Sequence, residues 1–90
     1  MVSYSGGTGS SFEDAIKIVG AESTREGIQA EYGYIVSVLH IAKERWKGKS
    51  QKLCQFEENE YDVITVVIDG KKEHVFYFNI TDFFGLPPFF

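Results

Sequence analysis

Glu31 is the first residue in this sequence whose type and position point to chemistry. On a helical projection it falls between Ile28, Ile35 and Val38, inside an apolar arc. A carboxylate there has to be paired, stabilised by a helix dipole or raised in pKa. In the local account it hydrogen-bonds backbone or tyrosine hydroxyls near the helix start and fixes the approach of the preceding loop. In the functional account it is a binding or catalytic carboxylate in a pocket between helix and sheet. A filled, hydrogen-bonded surrounding favours the first, and an open polar pocket favours the second.

Three other groups invite the same question. Gly6-Gly7-Thr8-Gly9-Ser10-Ser11 looks like a phosphate cradle, because bare backbone N–H groups ahead of a helix bind anions. It lacks the Lys-Ser/Thr ending of a P-loop and follows no expected strand, so a flexible lead-in with a capped turn is the expectation. Cys54 with His40 or His74 would make a nucleophile and base, yet no spacing supports the pairing, and Cys54 reads as a small buried hydrophobe. Glu57, Glu58, Glu60 and Asp62 lack the regular spacing of a calcium loop and read as a solvated turn. No catalytic residue, metal site or cofactor is expected.

The composition narrows the classes further. Ninety residues make one domain, and 9 Lys and Arg against 13 Asp and Glu give a net charge of −4. Nothing in that balance draws the chain to phosphate backbones or anionic lipid, so neither nucleic acid nor membrane is an expected partner. One cysteine cannot form an internal disulfide, which fits a reducing compartment. With no basic and apolar leader at the start and no apolar run of spanning length, a cytoplasmic protein is expected, whether whole or a domain of a longer chain.

The elements that must position these residues follow from patterning. Residues 1–9 are Ser/Gly-rich and expected to be loose; Ser10 and Ser11 cap a single turn; 15–19 alternate as a short strand. A capping-box pattern at Ser23 and Glu26 opens a helix expected over 23–46 and stopped at Gly48, with Gly27 weakening its start. Ile28, Tyr32, Ile35, Leu39, Ala42 and Trp46 form one stripe, and Tyr34, Val38 and Ile41 a second, an arc too wide for a single sheet to cover. Residues 51–57 read as a strand. A strong hairpin follows, 61–68 and 71–80 around Asp69-Gly70. A two-residue turn there sets Val63, Thr65 and Val67 on one face with His74, Phe76, Phe78 and Ile80, and Ile64, Val66 and Ile68 on the other with Val75 and Tyr77. The end, 86–90, is an apolar tail with two prolines.

These elements give an α+β domain of order β-α-β-β-β, one long helix on a mainly antiparallel four-stranded sheet. The run Gly-Gly-Thr-Gly-Ser-Ser-x-Glu-x-Ala-Ile from Gly6, with Ala30-Glu31-Tyr32, Tyr61-Asp62-Val63 and Tyr77-Phe78-Asn79-Ile80, resembles a family of short uncharacterised bacterial proteins. That resemblance implies the fold and a bacterial origin and assigns no activity to any residue.

Surplus aromatics carry the functional expectation. Glu31, Tyr34, Val38, Phe83, Phe84, Phe89 and Phe90 are the candidate binding residues, with the alternative that the aromatics only complete a small core. The expected function is a non-enzymatic interaction module, of inhibitor or immunity type, docking on a protein partner or on itself as a homodimer. The alternative is a small-molecule-binding or catalytic domain with its pocket near Glu31.

Overall fold

The computed structural model describes residues 2–86 and is an α+β fold, one helix on a five-stranded mixed sheet. Its elements are β1 (Ser3–Gly6), β2 (Ile16–Val19), α1 (Thr24–Ile41), β3 (Trp46–Phe56), β4 (Asn59–Ile68) and β5 (Lys72–Asn79), and across the sheet the order is β1-β2-β5-β4-β3. Helix α1 crosses from β2 to the far edge, and the β3-β4-β5 meander returns until β5 lies beside β2. Because the helix and the meander each reverse direction twice over, β5 meets β2 in parallel, Ile16 opposite Phe78 and Lys17 opposite Asn79.

Two features of the expected sheet are therefore corrected. There are five strands, of order β-β-α-β-β-β, and one junction is parallel. The additional strand comes from the Ser/Gly-rich segment expected to be loose, where Ser-Tyr-Ser-Gly carries no strand pattern. Pairing to β2 holds it, and the Tyr4 hydroxyl donates to the Ala30 carbonyl at 2.7 Å.

The helix begins as expected. Ser23 Oγ accepts the Glu26 N–H at 3.1 Å, and the Glu26 carboxylate accepts the Glu22 N–H at 2.8 Å. The regular helix starts at Thr24 rather than nearer Gln29 despite Gly27, which is buried with the Phe83 ring lying where a Cβ would stand. The end is earlier than 46. The Lys43 N–H bonds the His40 carbonyl and the Glu44 N–H bonds the Leu39 carbonyl, a Schellman closure with Lys43 at φ 58. Trp46, expected on the helical stripe, instead opens β3 opposite Ile68. Gly48 lies within β3, where the register slips between Gly48 and Ser50.

The hairpin sits where expected, but its faces are exchanged. Asp69 (φ 53) and Gly70 (φ 69) form the turn and Lys71 is left over, so Ile68 pairs with Lys72. That odd residue moves the register by one and turns every side chain over. Ile64, Val66 and Ile68 thus share the buried face with Phe76 and Phe78, while Val63, Thr65 and Val67 lie half-buried on the other with Val75 and Tyr77. The core joins these buried residues to Ile16, Ile18, Ala30, Ile35, Leu39, Ile80 and Phe83. The outer face carries a smaller cluster, in which Phe12 stacks on Phe56 at 4.7 Å and meets Tyr61 and Tyr77 edge-on.

Candidate functional site

Helix α1 turns Gly27, Ala30, Glu31, Ile35 and Leu39 to the sheet. Glu31 therefore enters the core, with none of its surface exposed. On β4, Asp62 lies on the same inner face, one pair before the apolar run, and is 6% exposed. The two carboxyls meet between helix and sheet. Gln51 of β3 donates from Nε2 to Asp62 Oδ2 at 3.3 Å, while its Oε1 accepts the Tyr32 hydroxyl at 2.7 Å. That second bond orients the Gln51 amide toward Asp62.

Neither Glu31 oxygen has a donor among the described residues. Two ionised carboxylates are both acceptors and cannot bond each other; one proton between them lets Glu31 donate to Asp62. Burial, and then the hydrogen bond and charge of Asp62, push the Glu31 carboxyl from its ordinary 4.5 up to about 10. Burial and the charges of Glu31 and Asp62 also raise the Tyr32 phenol. At neutral pH the Glu31 carboxyl therefore keeps its proton in the fold.

Asp62 opens onto a groove of about 250 Å³ between the start of α1, the edge strand β3 and the turn after β5, lined by Thr24, Ile28, Gln51, Leu53, Ile80 and the 83–85 segment. The Thr24 hydroxyl donates to the Leu86 carbonyl at 2.6 Å and ties that segment to the helix. Ile28, Leu53 and Phe84 expose apolar surface around the groove, Leu53 at 60%. The surroundings of Glu31 are thus filled yet short of donors, and the space beside it is open but mostly apolar. A larger cleft of about 400 Å³ lies at the opposite end, lined by Arg45, Trp46, Lys47, Val67, Asp69 and Gly70, none of them buried. No buried polar group faces it.

The structure brings three of the expected residues together: Glu31 behind the groove, Phe83 beneath it and Phe84 on its rim. Tyr34 is half-buried, its ring 5.3 Å from Tyr4 and 5.9 Å from Phe78, and completes the core. Val38 is exposed elsewhere on α1. Phe89 and Phe90 lie outside the described residues. Gln51 and Leu53 were not singled out in the sequence, and Asp62, read there as part of a solvated acidic turn, is instead buried in β4. Asp62 stands at the head of an alternating apolar strand, where a charge on the inner face was a readable signal once the register was known.

The remaining candidates do not assemble a site. His40 is exposed on α1, His74 packs against Phe76 and Cys54 lies half-buried on the outer sheet face. The glycine-rich loop already holds an anion of its own. The Asp14 carboxylate accepts from the Thr8 N–H and hydroxyl and from the Ser10 hydroxyl, bonds that lower its pKa. Glu57 and Glu58 form a tight turn at φ 48 and 67, with Glu60 and Asp62 in the strand beyond. No cluster of three metal-ligating side chains occurs among the described residues, and no helix there is long and apolar enough to cross a membrane. Set against family models, curated proteins and solved structures, the chain gives no match.

Proposed function

We propose that this protein is a non-enzymatic interaction module that docks a segment of a partner protein in the groove between α1 and β3. The observation that supports this is the convergence of Ile28, Leu53 and Phe84, three exposed large apolar residues from three separate elements, on one concavity. An inhibitor or immunity-type role in a reducing, cytoplasmic setting is one form of the reading. The test compares Leu53→Asp and Phe84→Asp with the exposed control Val36→Asp by in-cell photo-crosslinking and mass spectrometry. A partner captured by wild type and Val36→Asp and lost in both groove variants supports docking there. Equal capture by all four proteins moves the interface elsewhere.

Self-association is a second form of the reading. The strands that cover Ala30 and Tyr34 are only four residues long, so Val38 and Ile41, on the same side of the helix, stay exposed. An isologous dimer would bury them.

A further inference from the structure

We infer that the inner end of the groove is a subsite for a cationic side chain, a lysine or arginine carried on an otherwise apolar partner segment and received by Asp62, with Glu31 behind it and Gln51 beside it. This rests on the groove being the docking site.

The first argument is a shortage of donors. The Glu31 and Asp62 carboxyls present four oxygens, and among the described residues Gln51 Nε2 is the one side-chain donor shown to reach them. Buried acceptors without donors are costly, and a single shared proton relieves only part of the deficit. An ammonium brings three donors and a guanidinium five. Either one brings donors to Asp62, which lines the groove, and a positive charge beside the pair. Among the described residues no basic side chain lines the groove.

The second argument is shape. Between the rim and Asp62 the walls are Ile28, Leu53, Ile80, Phe83 and Phe84. Such walls suit the methylene stem of lysine or arginine, whose charged head then reaches the carboxyls. A small hydrated metal ion would leave those walls uncovered.

The third argument is the long-range field. The far end of the molecule, from the close of α1 to the β4–β5 loop, carries Lys43, Arg45, Lys47, Lys49, Lys71 and Lys72 against Glu44, Asp69 and Glu73. The rest of the chain therefore holds ten of the thirteen acidic residues and three of the nine basic ones. The groove opens on that acidic side, so an approaching cation is attracted before contact. The positive end of α1 also reaches the groove at Thr24, where Ser23 Oγ accepts the Glu26 N–H and the Ser23 carbonyl the Gly27 N–H.

The test uses pooled apolar heptapeptides with a fixed central lysine, arginine, norleucine or glutamate, titrated into the whole protein and followed by two-dimensional amide spectra. Lysine and arginine pools are expected to bind about tenfold or more tighter than norleucine, with the shifts at Ile28, Gln51, Leu53 and Asp62. Asp62→Asn is expected to bring lysine and arginine binding down to the norleucine level. In wild type the carboxyl carbons of Glu31 and Asp62 should move with the lysine pool only, a reading that stands even if a variant fails to fold. Equal, saturable binding of lysine and norleucine pools would overturn the cationic subsite and keep the docking groove. Absence of saturable binding at these amides by every pool would overturn both.

Discussion

Glu31 sets the sign of one pH dependence. Below 4.5 the folded and unfolded chains both hold its proton, and its contribution to stability is complete; from there up to about 10 only the folded state holds it. Stability should therefore fall as pH rises through that window, by up to about 1.4 kcal/mol per unit from this group. The midpoint of urea unfolding is expected to drop between about pH 5 and about pH 8, and Glu31→Gln, neutral throughout, to flatten the slope. A wild-type midpoint that rises over this range, with an unchanged slope in Glu31→Gln, would mean that the carboxyl is ionised in the fold. At Gly27 two effects compete. Alanine gains up to about 1 kcal/mol of helix propensity. Its methyl, however, meets the buried Phe83 ring, and displacing a packed aromatic costs about 1–3 kcal/mol. Gly27→Ala should lower stability in thermal unfolding and shift the Phe84 and Gly85 amides, because Phe83 anchors that wall of the groove. A more stable variant would show that Phe83 moves freely.

The ends of the elements carry strain that a glycine would relieve. Lys43 closes α1 in the left-handed region, where an L residue is disfavoured by about 1–2 kcal/mol. Lys43→Gly is expected to raise stability by about 0.5–1 kcal/mol without changing the fold, and calorimetry reads the gain. Gly70 is the converse case. At φ 69 it completes the β4–β5 turn, and Gly70→Val should cost about 1 kcal/mol or more in chemical denaturation. If that variant loses nothing, the turn is not what holds the register. The same two positions explain how the elements were read. With no glycine after Ile41, the helical pattern ran on to Gly48 and took Trp46 with it. The Schellman closure uses a lysine, and no sequence rule singles that out.

At the scale of the molecule, charge is sorted by end while apolar surface is sorted by the lengths of the strands. The separation of basic and acidic residues makes association at the groove sensitive to salt; a lysine-bearing occupant should bind more slowly as ionic strength rises past the range where the screening length is about 10 Å. Val38 and Ile41 supply the second surface. If they join two copies, sedimentation at tens of micromolar will show a dimer, and Val38→Glu will yield a folded monomer, since Val38 is already part-exposed. A wild-type chain that stays monomeric at that concentration would remove self-association and leave α1 open there.

Several features were settled by local chemistry. The Ser23 cap, the β4–β5 turn and the placement of Glu31 among apolar neighbours depend on residues within one or two turns of each other, and such interactions are written in the chain. Tertiary contact decided the rest. Ser3–Gly6 is a strand only because β2 and Ala30 receive it, Gly27 is tolerated only because Phe83 fills its space, and the odd Lys71 exchanged the faces of the hairpin. Asp62 follows Ile64, Val66 and Ile68 onto the inner side by the period of its own strand, and packing of α1 on the sheet sets Glu31 against it. The carboxyl pair joins a helix to a strand thirty-one residues away, and its chemistry arises from burial and mutual distance, which only the folded chain specifies.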